Sequence, residues 1–100
     1  MQEDHVSNAW AAACKLRRSV ANLRRVLAVE AVCAGAAIDL RAPLTPAAGT
    51  GAALAVLRDV VPGPGPDRWL SPQLRAAEGV LADGSLLAAV SEAMGPLEVL

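Results

Sequence analysis

The amino-acid sequence predicts an all-α fold in which one long helix is followed by three shorter helices. Apolar residues recur at spacings of three and four near the start of the chain, as they do on one face of an α-helix. Two cap-then-proline pairs, Thr45-Pro46 and Ser71-Pro72, are typical of helix starts further along. The apolar content of 54% is largely alanine, and phenylalanine and tyrosine are absent, which favours closely packed helices.

The first helix is predicted over residues 7–38, with Ser7 or Asp4 as its N-terminal cap. Its apolar stripe comprises Val6, Trp10, Ala13, Leu16, Val20, Leu23 and Leu27. After Leu27 the sequence AVEAVCAGAAI is apolar on nearly every face, so this half is expected to be buried. Such a helix is about 46 Å long, whereas a compact domain of this size is roughly 35 Å across. We therefore expect other protein, from the same subunit or from partner subunits, to cover its second half.

The second helix is predicted from the Thr45-Pro46 pair to about Val61, with Leu54, Leu57 and Val61 facing inward. The following sequence PGPGPDRWL is expected to be a linker, because its prolines and glycines are incompatible with the interior of a helix or strand. These prolines also remove backbone N–H groups, which excludes a phosphate-binding loop.

The third helix is predicted from Ser71-Pro72 to about Ala82. Asp83 and Gly84 end it, and Ser85 is expected to cap a short fourth helix that extends to about Ala93. The whole chain, residues 1–100, is interpreted as one incomplete domain of a larger helical-bundle subunit.

Composition excludes several classes of function. The net charge of −1 and the pI of about 5.7 provide no strong field for nucleic acid or a membrane surface. No signal peptide is recognisable, and the longest nearly apolar run, residues 26–38, is too short to span a bilayer. Cys14 and Cys33 are too few for a disulfide framework, so reduced thiols in a cytoplasmic protein are expected.

The chain begins with a polar cluster, QEDHVS, that holds its only histidine beside two carboxylates. A metal site is disfavoured, because Glu3, Asp4 and His5 are adjacent and helical ligand pairs need spacings of three or four. From the residues alone, the cluster is either a helix cap or a carboxylate donated to a site built elsewhere. Glu30 is the only charge in the apolar half of the first helix, so it is expected either to pair with an arginine, which is the favoured reading, or to reach a site.

Several stretches together resemble the C-terminal part of histidine ammonia-lyases, within the aromatic amino acid ammonia-lyase family. They are QEDHVS, the helix containing RVLAVE, DLRAPL, and PGPGPDR with LSP, and they cover nearly the whole chain in order. The resemblance implies large, mostly helical subunits that form homotetramers through a bundle of long helices. It implies conversion of L-histidine to urocanate and ammonia by a methylidene-imidazolone prosthetic group, which the family makes from an internal Ala-Ser-Gly, with a tyrosine as base.

The resemblance also assigns roles to the opening segment. Glu3 matches the family's active-site glutamate, which lies near the imidazole of the substrate, and Gln2 and His5 are its neighbours in the substrate-binding segment. Phenylalanine- and tyrosine-type relatives usually have glutamine at the position of Glu3. Asn8 departs from the family, which commonly has methionine there.

The sequence contains no Ala-Ser-Gly and no tyrosine, so the prosthetic group cannot be formed from this chain. We therefore expect a fragment that is inactive in isolation and that works with the rest of a lyase subunit and its tetramer partners. Two alternatives stay open. One is a fragment of another aromatic amino acid ammonia-lyase or 2,3-aminomutase, and the other is a non-catalytic helical association module.

Overall fold

The computed structural model describes residues 6–96 and 98 and contains four α-helices. They are α1 (Ala9–Asp39), α2 (Ala48–Val60), α3 (Ser71–Ala82) and α4 (Ser85–Met94). The described part of the chain contains no strand. The predicted all-α fold with one long and three shorter helices is therefore confirmed.

The chain is elongated because α1 is longer than the body formed by the other helices. Its principal extents are 74 × 36 × 18 Å, and its radius of gyration is 18.6 Å, against about 13 Å for a compact domain of this length. All α1 residues from Ala9 to Val20 are exposed, and the buried residues of α1 are Ala28 and Gly35. The predicted overhang of α1 is thus observed, but the first half of the helix projects, whereas the second half packs in part on the body. Cover of the rest of the second half by other protein stays a prediction.

A small core holds the second half of α1 against α2 and α3. Its buried members are Ala28, Leu57, Val61 and Ala77, and Ala31, Val32, Ala76 and Leu81 pack around them. Leu57 and Val61 are only 3% and 1% exposed, as predicted for the inward face of α2, whereas Leu54 is half-buried. Because most of these side chains are small, the helices must approach closely to exclude water.

Gly35 makes the close approach of α1 and α2 possible. A Cβ atom added there would lie 2.9 Å from Leu57 Cδ2 and 3.0 Å from Arg58 Nη2. Real Cβ atoms essentially never come within 3.0 Å of another heavy atom, so a side chain at this position requires the neighbours to move. The glycine therefore sets the distance between the two helices at the core.

An ion pair joins the C-terminal end of α1 to α2. Arg58 Nε donates a hydrogen bond of 2.9 Å to Asp39 Oδ2, and Nη1 donates one of 3.2 Å to the Val61 carbonyl. Arg58 Nη2 also lies 2.6 Å from Asp39 Oδ2, without the geometry of a hydrogen bond. Both side chains are partly buried, so solvent screens this pair less than an exposed one. Arg58 thus connects two helices and the start of the following loop.

The segments between the helices follow the predictions with small shifts. Helix α2 begins at Ala48, two residues after Pro46, because Ala47 is still extended with a ψ of 160°. The Gly-Pro segment between α2 and α3 is non-helical, as predicted. Arg68 Nη2 stabilises it by donating hydrogen bonds to the carbonyls of Pro62 (3.3 Å) and Gly63 (2.7 Å).

The corner between α3 and α4 depends on one glycine and one aspartate. Gly84 has a φ of +79°, a left-handed conformation that favours glycine. Asp83 Oδ1 accepts a hydrogen bond of 2.9 Å from the Ser85 backbone N–H at the first turn of α4. Ser85 was predicted to be the cap, but it is the first residue of the helix, and Asp83 performs the capping. Likewise Ser71 is the first residue of α3 rather than its cap.

Candidate functional site

The predicted catalytic residue, Glu3, lies outside the described residues, as do the predicted substrate-binding residues Gln2 and His5. Asp4, the alternative cap, also lies outside them. The structure therefore describes the candidate site from Val6 onward, where the chain enters α1.

The entry into α1 is defined by Ser7 and Asn8. Ser7 Oγ accepts a hydrogen bond of 3.2 Å from the Ala9 N–H, which leaves one fewer unpaired donor in the first turn. The Asn8 carbonyl accepts the next bond, 2.9 Å from the Ala12 N–H, whereas the Asn8 side chain makes no capping bond. Ser7 thus contributes to the helix start as predicted, although Asn8 occupies the cap position.

This end of α1 is far from the core of the chain. Nineteen residues separate Ala9 from Ala28, the first buried residue of α1, and at 1.5 Å per residue they span about 28 Å. Every residue from Val6 to Val20 is exposed. A site at the start of α1 is therefore not enclosed by α2, α3 or α4, and groups from outside these helices are needed to complete it.

The electrostatic surroundings of this end are positive. The N-terminus of a helix has a partial positive charge from its unpaired N–H groups. The next charged side chains in α1 are those of Lys15, Arg17 and Arg18, all exposed. Both features attract anions toward the start of α1.

The expectation of a buried, paired Glu30 was wrong. Glu30 is exposed, and no ion pair to it occurs among residues 6–96 and 98. The reason is that one face of α1 remains uncovered here, although the sequence around Glu30 is apolar on nearly all sides. Arg25, one turn earlier, lies 3.8 Å from Glu78 of α3 in an exposed ion pair.

Glu30 lies on an apolar groove that the sequence did not reveal. The groove has a volume of about 280 Å³. Its lining residues are Leu27, Glu30, Ala31, Ala34, Gly35, Ile38, Thr50, Ala53, Leu54, Leu57, Leu81 and Leu86. A signal was present in the sequence, since Ala31, Ala34 and Gly35 place small residues along one face of α1. We refer to this feature below as the apolar groove.

Among residues 6–96 and 98, the side chain whose pKa is shifted is that of Asp83, at the corner between α3 and α4. Hydrogen bonds from the Ser85 side chain and then from its backbone N–H lower the pKa of the Asp83 carboxyl below its usual 3.8. Asp83 is exposed, so this is a local capping effect.

Within residues 6–96 and 98, no three His, Cys, Asp or Glu side chains cluster as metal ligands would. None of the described helices has the length and hydropathy required to cross a membrane.

Comparisons with known proteins place the chain among the aromatic amino acid lyases. The family model described as aromatic amino acid lyase matches residues 1–59. The chain is 50% identical over 98 residues to a histidine ammonia-lyase of Streptomyces avermitilis, with 97% of this chain and 19% of that protein covered. It is 53% identical over 100 residues to a histidine ammonia-lyase of Streptomyces griseus, with 97% of this chain and 20% of that protein covered.

The chain thus spans about a fifth of the length of these curated relatives. A histidine ammonia-lyase of Sorangium cellulosum is 46% identical over 96 residues, with 96% of this chain and 19% of that protein covered. No solved structure matches the chain significantly. The family match includes the opening segment, all of α1 and most of α2. The chain therefore belongs to the aromatic amino acid lyase family.

Proposed function

We propose that this chain is the C-terminal part of a cytoplasmic histidine ammonia-lyase subunit, which eliminates ammonia from L-histidine to give urocanate in histidine catabolism. The observation that carries the proposal is the identity of about half of all residues to histidine ammonia-lyases, over 97% of this chain. Because the chain spans about a fifth of those relatives, the activity is assigned to the whole subunit and not to the chain alone.

Glu3 is the proposed contribution of this chain to the active site. An ionised carboxylate accepts a hydrogen bond from an imidazole N–H and stabilises a protonated imidazole, so it suits a histidine side chain better than a phenyl ring. The exposed start of α1 supports this role, because the described helices leave it open to other parts of the enzyme. Gln2 and His5 are proposed to shape the same segment.

The methylidene-imidazolone group and the catalytic base do not fit this chain. The sequence has no Ala-Ser-Gly from which the group is made and no tyrosine to act as base. We assign both to the part of the subunit outside this chain. The isolated chain is accordingly proposed to be inactive.

The partners proposed for the chain are the rest of its subunit and the other subunits of a homotetramer. The projecting half of α1 supports this assignment. Trp10 and Leu16 are 81% and 65% exposed, and they continue a stripe that includes Val20 and Leu23. Contiguous apolar surface of this kind marks a protein–protein contact.

A chimeric enzyme tests the proposal. The segment of the Streptomyces griseus histidine ammonia-lyase that matches this chain is replaced by the chain, and urocanate formation from L-histidine is followed by its ultraviolet absorbance. We expect an active chimera and no activity from the isolated chain. Loss of one charge-assisted hydrogen bond predicts that Glu3→Gln lowers kcat/KM for histidine about 10- to 100-fold.

Glu92→Gln is the matched control, since Glu92 is exposed on α4 and the same isosteric change there should leave kcat/KM unchanged. Faster turnover of tyrosine or phenylalanine than of histidine would favour the alternative of another aromatic ammonia-lyase or aminomutase. An active chimera in which Glu3→Gln leaves kcat/KM unchanged would instead favour the alternative that this chain is a non-catalytic helical association module.

A further inference from the structure

The apolar groove continues past the C-terminal end of α1 into a second cavity. This cavity has a volume of about 360 Å³ and is lined by Ile38, Arg41, Leu44, Thr45, Pro46, Ala47 and Thr50. Ile38 and Thr50 also line the apolar groove, so the two features form one continuous surface along α1 and the start of α2. We refer to this surface as the extended groove.

The two ends of the extended groove carry opposite charges. Glu30 lies near one end and Arg41 near the other, and both are exposed. Among residues 6–96 and 98, neither side chain takes part in an ion pair. Arg41 follows Glu30 by eleven residues, a distance of about 16 Å along a helix. A partner that covers this surface has to bring a cation to Glu30 and an anion to Arg41, because a covered charge without a partner is costly.

The surface between these two charges is suited to a helix. It lies between α1 and α2 and is lined by the small residues Ala31, Ala34 and Gly35 of α1 and Ala53 of α2. Small residues at a contact let the axis of a further helix approach to about 8 Å. A helix of about eleven residues, or three turns, spans the distance between the two charges.

The charges also set the direction of such a helix. A helix has a partial positive charge at its N-terminus and a partial negative charge at its C-terminus. Its start is therefore attracted to Glu30 and its end to Arg41, so it runs parallel to α1. A basic residue in its first turn and an acidic residue in its last turn would pair with these two side chains.

From these features we infer that an apolar helix from the part of the same subunit outside this chain fills the extended groove. The inference rests on one element of the proposed function, that the chain is part of a longer subunit; it spans about a fifth of the length of its relatives. The groove lies on the half of α1 that packs on the chain's own helices. This contact within one subunit is separate from the projecting half of α1, which is assigned to partner subunits above.

Thiol protection in the chimeric enzyme tests whether the extended groove is covered. Ala34→Cys places a thiol in the groove at a position that the described helices leave exposed. We expect N-ethylmaleimide to label this thiol about 100-fold more slowly in the folded chimera than after unfolding in urea, as followed by peptide mass spectrometry. Glu30→Lys and Arg41→Glu should each speed the labelling about tenfold, because each brings like charges together. Glu92→Lys, on the exposed face of α4 outside the extended groove, is the matched control and should leave the rate unchanged.

Cross-linking identifies the helix and the subunit to which it belongs. The photo-crosslinker p-benzoylphenylalanine replaces the exposed Thr50, which lines both parts of the extended groove. Chimeras are assembled from a mixture of isotopically labelled and unlabelled subunits. Each cross-linked pair of peptides should carry a single isotope and should join this chain to one helical segment of the Streptomyces griseus part. That segment should hold a basic and an acidic residue about three turns apart.

A thiol in place of Ala34 that reacts as fast in the folded chimera as in urea would overturn the inference. So would cross-linked pairs of mixed isotope, which place another subunit in the groove, or pairs formed only within this chain. Neither measurement needs turnover of histidine. An inactive chimera with a protected thiol and single-isotope cross-links would therefore refute the proposed activity while supporting this contact.

Discussion

Two helical glycines of this chain should respond in opposite ways to the same substitution. Gly35 of α1 faces α2 so closely that an added Cβ would lie 2.9 Å from Leu57 Cδ2 and 3.3 Å from Leu54 Cδ1. Gly79 of α3 is exposed, and an added Cβ would meet no atom within 4 Å. Both glycines have negative φ inside regular helices, so backbone strain does not separate them.

The expected free energies follow from these distances. Replacing glycine by alanine inside a helix stabilises it by about 1 kcal/mol, because the unfolded chain loses conformational freedom. Gly79→Ala should therefore raise the free energy of unfolding by about 1 kcal/mol. At Gly35 the same gain is opposed by overpacking against the buried Leu57, which costs about 1–3 kcal/mol. The net effect of Gly35→Ala is a loss of up to about 2 kcal/mol.

Urea unfolding followed by circular dichroism measures both variants against the parent chain. Protein concentration is held fixed, because self-association contributes to the apparent stability. The two variants should move the urea midpoint in opposite directions. If Gly35→Ala stabilises the chain as much as Gly79→Ala, the close packing of α1 on α2 at this point is refuted.

Two further predictions concern single side chains. Arg58→Ala should lower the free energy of unfolding by about 2–4 kcal/mol, since it removes the partly buried partner of Asp39 and the donor to the Val61 carbonyl. Arg58→Lys should recover only part of the lost free energy of unfolding, because a single lysine ammonium cannot bond both acceptors as the planar guanidinium group does. Urea midpoints of the two variants measure this difference. The lowered pKa of Asp83 means that its contribution to stability is present above its unfolded pKa of about 4 and is lost as pH falls through the folded value. The difference in urea midpoint between the parent and Asp83→Asn should thus shrink from about pH 7 to about pH 3, and a constant difference would exclude capping of Ser85 by the ionised carboxylate.

The helices were predictable from the sequence because their signals are local. Apolar spacing and the Ser71-Pro72 pair predicted α3 to within one residue, and the predicted bounds of α1 and α4 differ from those observed by one or two residues at each end. The inward residues Leu57 and Val61 were also identified, since periodicity reports which face of a helix is apolar.

Tertiary contacts were harder to predict from the sequence, because they depend on which helix covers which face of another. The apolar surroundings of Glu30 suggested burial, yet no described helix covers that face of α1. Arg58 showed no local sign of its bond to Asp39, nineteen residues earlier in the chain. The candidate site rests on a resemblance in the first residues of the chain. Glu3 belongs to that segment, and its role stays a prediction for the chimeric enzyme to test.

The continuous helix α1 also acts as a lever arm. About 28 Å separate its exposed start from its first buried residue, so a tilt of about 2° at the core displaces the start by about 1 Å. Catalytic groups need to be held within about 0.5 Å of their productive positions. Under the proposed function, small shifts in packing around Gly35 would be amplified at the segment that carries Glu3. Mutations in this small core would then change catalytic precision before they measurably change the fold.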